Sequence, residues 1–227
     1  MKKLLLLFFF VLFCISSAFS YTANRSFEKN THSFGINSGN LMFDIGLGGT
    51  FFATGASETN LKKSAFVMNI RGLYAVDENF HVGLEGIFGS GGIKGDPLPY
   101  GREYDSPNFY VEKDDNYHDT FAILLALRAN LNPNDRARVY LPFGFGYMQK
   151  NQSTEYTAHS LIIPGYEHEF KEDKTLGRGV YAYSGLGLEY DLGSGFLTGI
   201  EARYGVFKCS GDYVTSISAL IKIGFKL

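Results

Sequence analysis

From residue 41 onward the chain alternates. Leu41, Phe43, Ile45, Leu47, Gly49 and Phe51 share one parity, with Asp44 and Thr50 on the other, and a period of two is the signature of a strand with one apolar and one polar face. The same reading sets Phe66, Met68, Ile70, Gly72 and Tyr74 against Asn69 and Arg71, and Val82, Leu84, Gly86 and Phe88 against His81 and Glu85. A fourth segment opposes Phe121, Ile123, Leu125, Leu127, Ala129 and Leu131 to His118, Thr120, Arg128 and Asn130. Because Ala122, Leu124 and Ala126 fill its second face, this segment could also be read as a helix. A fifth runs from Val139 to Tyr147. The stretch GLGLEYDLGSGFLTGIEARY, Gly185 to Tyr204, supplies two more strands around DLGSG, and the last alternates Ile217, Ala219, Ile221, Ile223, Phe225 and Leu227 with Ser218, Lys222 and Lys226.

Eight strands are thus predicted. Tight turns at 77–79, 132–135 and 191–195 alternate with longer connections, of which 90–117 and 149–178 read as the two long loops. A soluble β-sandwich would also alternate, with its apolar faces turned inward. Three features favour the opposite arrangement. The apolar faces carry no charged side chain over roughly ten residues, the length a tilted strand needs to cross a bilayer. They end in aromatics such as Phe51, Tyr74, Tyr147, Tyr190 and Tyr204, as a girdle at the membrane interface requires. Long and short connections alternate, as in transmembrane barrels, and a closed barrel satisfies every strand's backbone without leaving an edge in lipid.

The expectation is an all-β fold, an eight-stranded antiparallel up-and-down transmembrane barrel with a polar, side-chain-filled interior. Phe43, Ile45, Ile70, Leu84, Leu125, Phe143, Leu186, Ile200, Ile221, Ile223 and Phe225 are predicted to face lipid. Asp44, Arg71, Glu85, Arg128, Glu189, Glu201, Arg203 and Lys222 are predicted to form an interior charge network, because eight charges in so narrow a lumen are costly unless paired. A hairpin centred on Glu78 would set Arg71 directly opposite Glu85.

Ahead of the strands, MKKLLLLFFFVLFCISSAFS joins a basic start, Lys2 and Lys3, to an apolar run from Leu4 to Ile15 and a small-residue cleavage pattern at Ala18 and Ser20. Residues 1–20 are therefore expected to be a signal peptide, 21–39 an N-terminal segment outside the sheet, and 40–227 the barrel. Of the 2 cysteines, Cys14 lies in the leader, so Cys209 would have no intramolecular partner after export. A formal net charge of −2 is not a nucleic-acid binder's balance.

Candidate chemistry is sparse. Ser90 with His118 and Asp119, or His159 with Ser160, could supply a nucleophile and base, but neither has a recognised spacing. Glu167, His168 and Glu169 could ligate a metal, yet neighbours on an extended chain point in opposite directions. No catalytic set, metal or cofactor is expected. The inward glycines, among them Gly144 and Gly187, are read as room for Tyr140, Tyr181 and Tyr183.

With GLGLEY and GIEARY late in the chain and the terminal ISALIKIGFKL, residues 40–227 resemble the small eight-stranded outer-membrane barrels of the OmpA, OmpX and opacity-protein kind. Members of that family usually end in Phe, where this chain has Leu227. The resemblance implies a place in the bacterial outer membrane, with outer-membrane lipids and the barrel-insertion machinery as partners. It implies a structural or surface-interaction role, with an extracellular ligand or host surface met through loops 90–117 and 149–178. Alternatives of a different class are a narrow pore or lateral transporter for small or hydrophobic molecules, and a lipid A-modifying enzyme.

Overall fold

In the computed structural model the described residues are 36–54, 64–92, 109–209 and 212–227. The expected signal peptide, and the N-terminal segment up to residue 35, lie outside them. Eight strands follow in chain order: β1 (Leu41–Thr54), β2 (Ser64–Ala75), β3 (Phe80–Gly92), β4 (Phe109–Asn130), β5 (Ala137–Ser160), β6 (Glu167–Gly193), β7 (Phe196–Cys209) and β8 (Asp212–Lys226). Each pairs antiparallel with the next, and β1 also pairs with β8, which closes the barrel.

The side-chain parity settles which face is which. Ile45, Leu84, Leu125, Leu186, Ile200, Ile221 and Ile223 point outward and are exposed, while Asp44, Arg71, Glu85, Glu201 and Lys222 point inward and are buried. The segment that could pass for a helix is strand β4. Its second apolar row, Ala122, Leu124 and Ala126, is buried inward, so two apolar faces here mean lipid side and lumen side.

Three short connections lie at one end. Residues 76–79, 131–136 and 194–195 separate the strands there, and at the first of these Asp77 Oδ1 accepts from the Asn79 and Phe80 amides at 2.8 Å, an Asx cap that fixes the turn. The residues just before β1 cover this end. Ile36 is fully buried with Met42, Leu73, Ala75, Ala126 and Leu197, and Gly39 N donates to Ala75 O at 2.8 Å.

At the other end strand extends into both expected loops. β5 continues to Ser160 and β6 resumes at Glu167, so of the 149–178 connection only residues 161–166 turn. Likewise β3 reaches Gly92 and β4 begins at Phe109, inside the expected 90–117 loop. The reason is compositional. Thr, Tyr, Gln and Ser between 149 and 160 suit a strand but carry no apolar alternation, while the ladder runs unbroken in kind from Lys150↔Gly177 to His159↔Glu167 with one irregularity at Lys150/Asn151. β4, β5 and β6, of 22, 24 and 27 residues, therefore rise as a wall above their neighbours of 12 to 15.

Candidate functional site: the filled lumen

The inward row of β1, β2, β7 and β8 brings Asp44, Arg71, Glu201, Arg203 and Lys222 to one level. Arg71 donates through Nε to Asp44 and through Nη2 to Glu201, both at 3.0 Å. Lys222 Nζ lies 2.6 Å from Asp44 and 3.2 Å from Glu201. Arg203 bridges Glu201 and Glu85, the latter at 2.7 Å. Tyr140 OH donates to Glu201 Oε2 at 2.7 Å, and Glu85 also accepts from Asn69 and Tyr183.

Nearer the tight turns lies a second cluster. Arg128 forks onto Glu189 through two bonds of 2.7 and 2.9 Å, Arg138 donates to the same carboxylate at 2.9 Å and sits 3.5 Å from Asp191. Lys226 reaches Asp191 at 3.3 Å. The Arg128 guanidinium lies 3.8 Å from the Tyr140 ring centroid, so one tyrosine joins the two clusters, its hydroxyl in the first and its face under the second. Removing a carboxylate or guanidinium from water costs several kcal/mol, and only multiple well-placed partners recover it. Each carboxylate here meets two or more donors.

Space for these side chains comes from glycine. A Cβ on Gly187 would overlap the Tyr140 ring, and one on Gly144 the Tyr183 ring. Both glycines thus make room for an aromatic that serves the network.

Adjacency accounts for only part of the pairing. Arg71 has two Cα partners, Asp44 on β1 and Glu85 on β3; it bonds Asp44 and reaches on to Glu201, while Glu85 is taken by Arg203. In a lumen this narrow a long side chain reaches across to a non-neighbouring strand. Arg138 and Asp191 belong to the cluster although sequence reasoning passed over them: Arg138 precedes the apolar run of β5, and Asp191 lies in DLGSG, read as turn. Their parity, shared with Tyr140 and Glu189, was the available signal.

Above this level the lumen changes character. Phe52, Val67, Ile87, Met148, Tyr181, Phe207, Val214 and Leu220 pack together around a cavity of about 40 Å³. That volume holds about three water molecules at 10–15 Å³ each. Lys150, buried, places Nζ 4.0 Å from the Phe52 ring centroid and 5.2 Å from that of Phe207, and 3.5 Å from His118 Nδ1.

Over residues 10–220 the chain matches the family model of the outer membrane protein beta-barrel domain. It belongs to that family. Two solved outer-membrane barrels show the same fold. OprG from Pseudomonas aeruginosa is 13% identical, with 86% of this chain and 98% of that one covered at a TM-score of 0.53. Neisserial surface protein A is 12% identical, with 83% and 96% covered at a TM-score of 0.50. No curated protein sequence matches the chain.

As an outer-membrane barrel it has two sides to each wall, and the candidate catalytic residues fall on both. Ser90 and Asp119 are Cα partners whose side chains face outward, whereas His118, paired with Gly91, is buried inward. Wall thickness separates nucleophile from base. Ser160 is engaged in the turn at 161–166, where its Oγ accepts from the Ile162 and Ile163 amides. Glu167 lies 3.3 Å from His159, and no group of three metal-ligating side chains occurs among the described residues. On the projecting wall, Lys171 Nζ donates to Tyr117 OH at 2.6 Å, and this bond holds the ammonium's pKa above its ordinary value.

Proposed function

We propose that this outer-membrane barrel is a closed surface-interaction protein: a rigid scaffold plugged by its charge network that presents the β4–β6 wall to the exterior. The single observation that carries this reading is the pair of ionic clusters around Tyr140, which occupy the lumen between Asp44 and Asp191, with small cavities of about 40 and 10 Å³ above and beside them. Asp44, Arg71, Glu85, Arg128, Glu189, Glu201, Arg203 and Lys222 act as the plug. Phe43, Ile45, Ile70, Leu84, Leu125, Phe143, Leu186, Ile200, Ile221, Ile223 and Phe225 contact outer-membrane lipid. The tight-turn end faces the periplasm, as short turns do in such barrels.

Recognition then falls to the wall, where Asp173, Lys174 and Arg178 are exposed on strands rather than on loops. Planar-bilayer recording of the full chain tests the plug. The expected record has no stable open-channel steps; a large, stable conductance overturns the closed-lumen reading.

A further inference from the structure

The tip of the β5–β6 hairpin carries a run of exposed apolar residues. Leu161, Ile162 and Ile163 are 67%, 66% and 58% exposed, and Tyr166 beside them is also exposed. Three consecutive residues open to solvent do not follow the strand's alternation, so no face of the sheet accounts for them.

We infer that this tip inserts into the lipid of an apposed, zwitterionic membrane. Part of its backbone is already paired within the turn. Ser160 Oγ accepts from Ile162 N at 3.2 Å and Ile163 N at 3.0 Å, Tyr166 N donates to Ile163 O at 3.2 Å, and Ser160 N to Tyr166 O at 3.1 Å. Pro164 has no N–H to satisfy, and Gly165 takes the positive φ of +78° that closes the turn. Polar backbone groups left unpaired are what exclude most turns from hydrocarbon.

Size argues for lipid over protein. A stable protein interface buries on the order of 800 Å² per partner, more than a four-side-chain point offers, whereas an apolar point with one aromatic is a shallow interfacial anchor. The His159–Glu167 pair at 3.3 Å marks where the apolar cap ends and limits the depth. Charge selects the membrane. Residues 151–174 hold Glu155, Glu167, Glu169, Glu172 and Asp173 against Lys171 and Lys174, a balance that anionic lipid repels and zwitterionic lipid tolerates. Reach excludes the protein's own bilayer: the outward apolar row ends at Tyr147 and Val180, and the stretch from Lys150 to Ser160 adds about 30 Å along the strand.

This inference rests on the reading of the wall as exterior surface, but its test does not depend on conductance. The full chain, held in an amphipathic polymer, is floated with phosphatidylcholine vesicles. Recovery in the vesicle fraction is expected to fall at least tenfold for Ile162→Asp/Ile163→Asp, with heat-modifiable gel mobility unchanged, and severalfold when about a third of the lipid is phosphatidylserine at low salt. The chain contains no tryptophan, so Ile162→Trp provides a single fluorophore, which vesicles with brominated acyl chains should quench. Equal flotation of the double variant, an unquenched tryptophan, a preference for anionic vesicles, or tip-dependent pairing of two copies without vesicles would each overturn the inference.

Discussion

In the half of the lumen nearest the tight turns, Glu201 receives Arg71, Arg203, Lys222 and the Tyr140 hydroxyl. In the opposite half, Lys150 lies over the rings of Phe52 and Phe207 beside an apolar cavity. Both halves bury cations: the first meets them with several carboxylates, and the second packs one against aromatic faces and His118. The difference teaches how a narrow barrel varies along its axis, from a lumen locked by a dense ionic network to one lined largely by rings and alkyl groups around a cavity.

The contrast breaks hardest at Glu201. Glu201→Gln keeps the shape and removes the charge that three cations share, so it should destabilise the barrel by about 3–5 kcal/mol, the cost of orphaning buried charge. Urea unfolding in lipid vesicles measures this, and a loss under about 1 kcal/mol would show that the network is ornamental to stability. Gly187→Ala strikes the same half by displacing the Tyr140 ring; about 1–3 kcal/mol is expected from such overpacking. In that variant the Tyr140–Glu201 bond should be lost as well, so its effect and that of Glu201→Gln should be less than additive. An additive double variant would mean that Tyr140 packs without coupling the clusters.

The smallest effect is expected above. Lys150→Met keeps an unbranched side chain against Phe52 and Phe207 and gives up the contact with His118 and a cation–ring attraction of about 0.5–2 kcal/mol, partly returned by sparing the burial of an ammonium. Its unfolding midpoint should stay close to that of the unsubstituted barrel. A loss as large as that of Glu201→Gln would erase the distinction between the halves.

Much of the architecture was legible because a bilayer imposes a rule that residues state one at a time. Ile45 out and Asp44 in, or Ile221 out and Lys222 in, follow from parity alone, and the tight turns at 77–79 and 132–135 fix register well enough to set Arg71 beside Glu85. What parity does not encode is reach. Arg203 meets Glu85, and Arg128 meets Glu189, across the lumen between strands that are not neighbours, a matter of diameter and rotamer. Arg138 and Asp191 escaped notice at strand ends, where apolar markers fade. Likewise the extension of β5 and β6 left no hydrophobic signal, since above the membrane neither face needs to be apolar: Thr154 and Tyr156 are buried there, Lys171 and Asp173 exposed.

The seam between β1 and β8 has a temporal consequence. Met42 pairs with Lys226, and Leu41 and Leu227 exchange backbone hydrogen bonds, so the two sides of the seam are about as far apart in sequence as the barrel allows. Until the final strand arrives, β1 and β7 are open edges whose amides and carbonyls would have no partner in hydrocarbon. Every earlier hairpin therefore leaves an edge open, and only the pairing of β8 with β1 removes it.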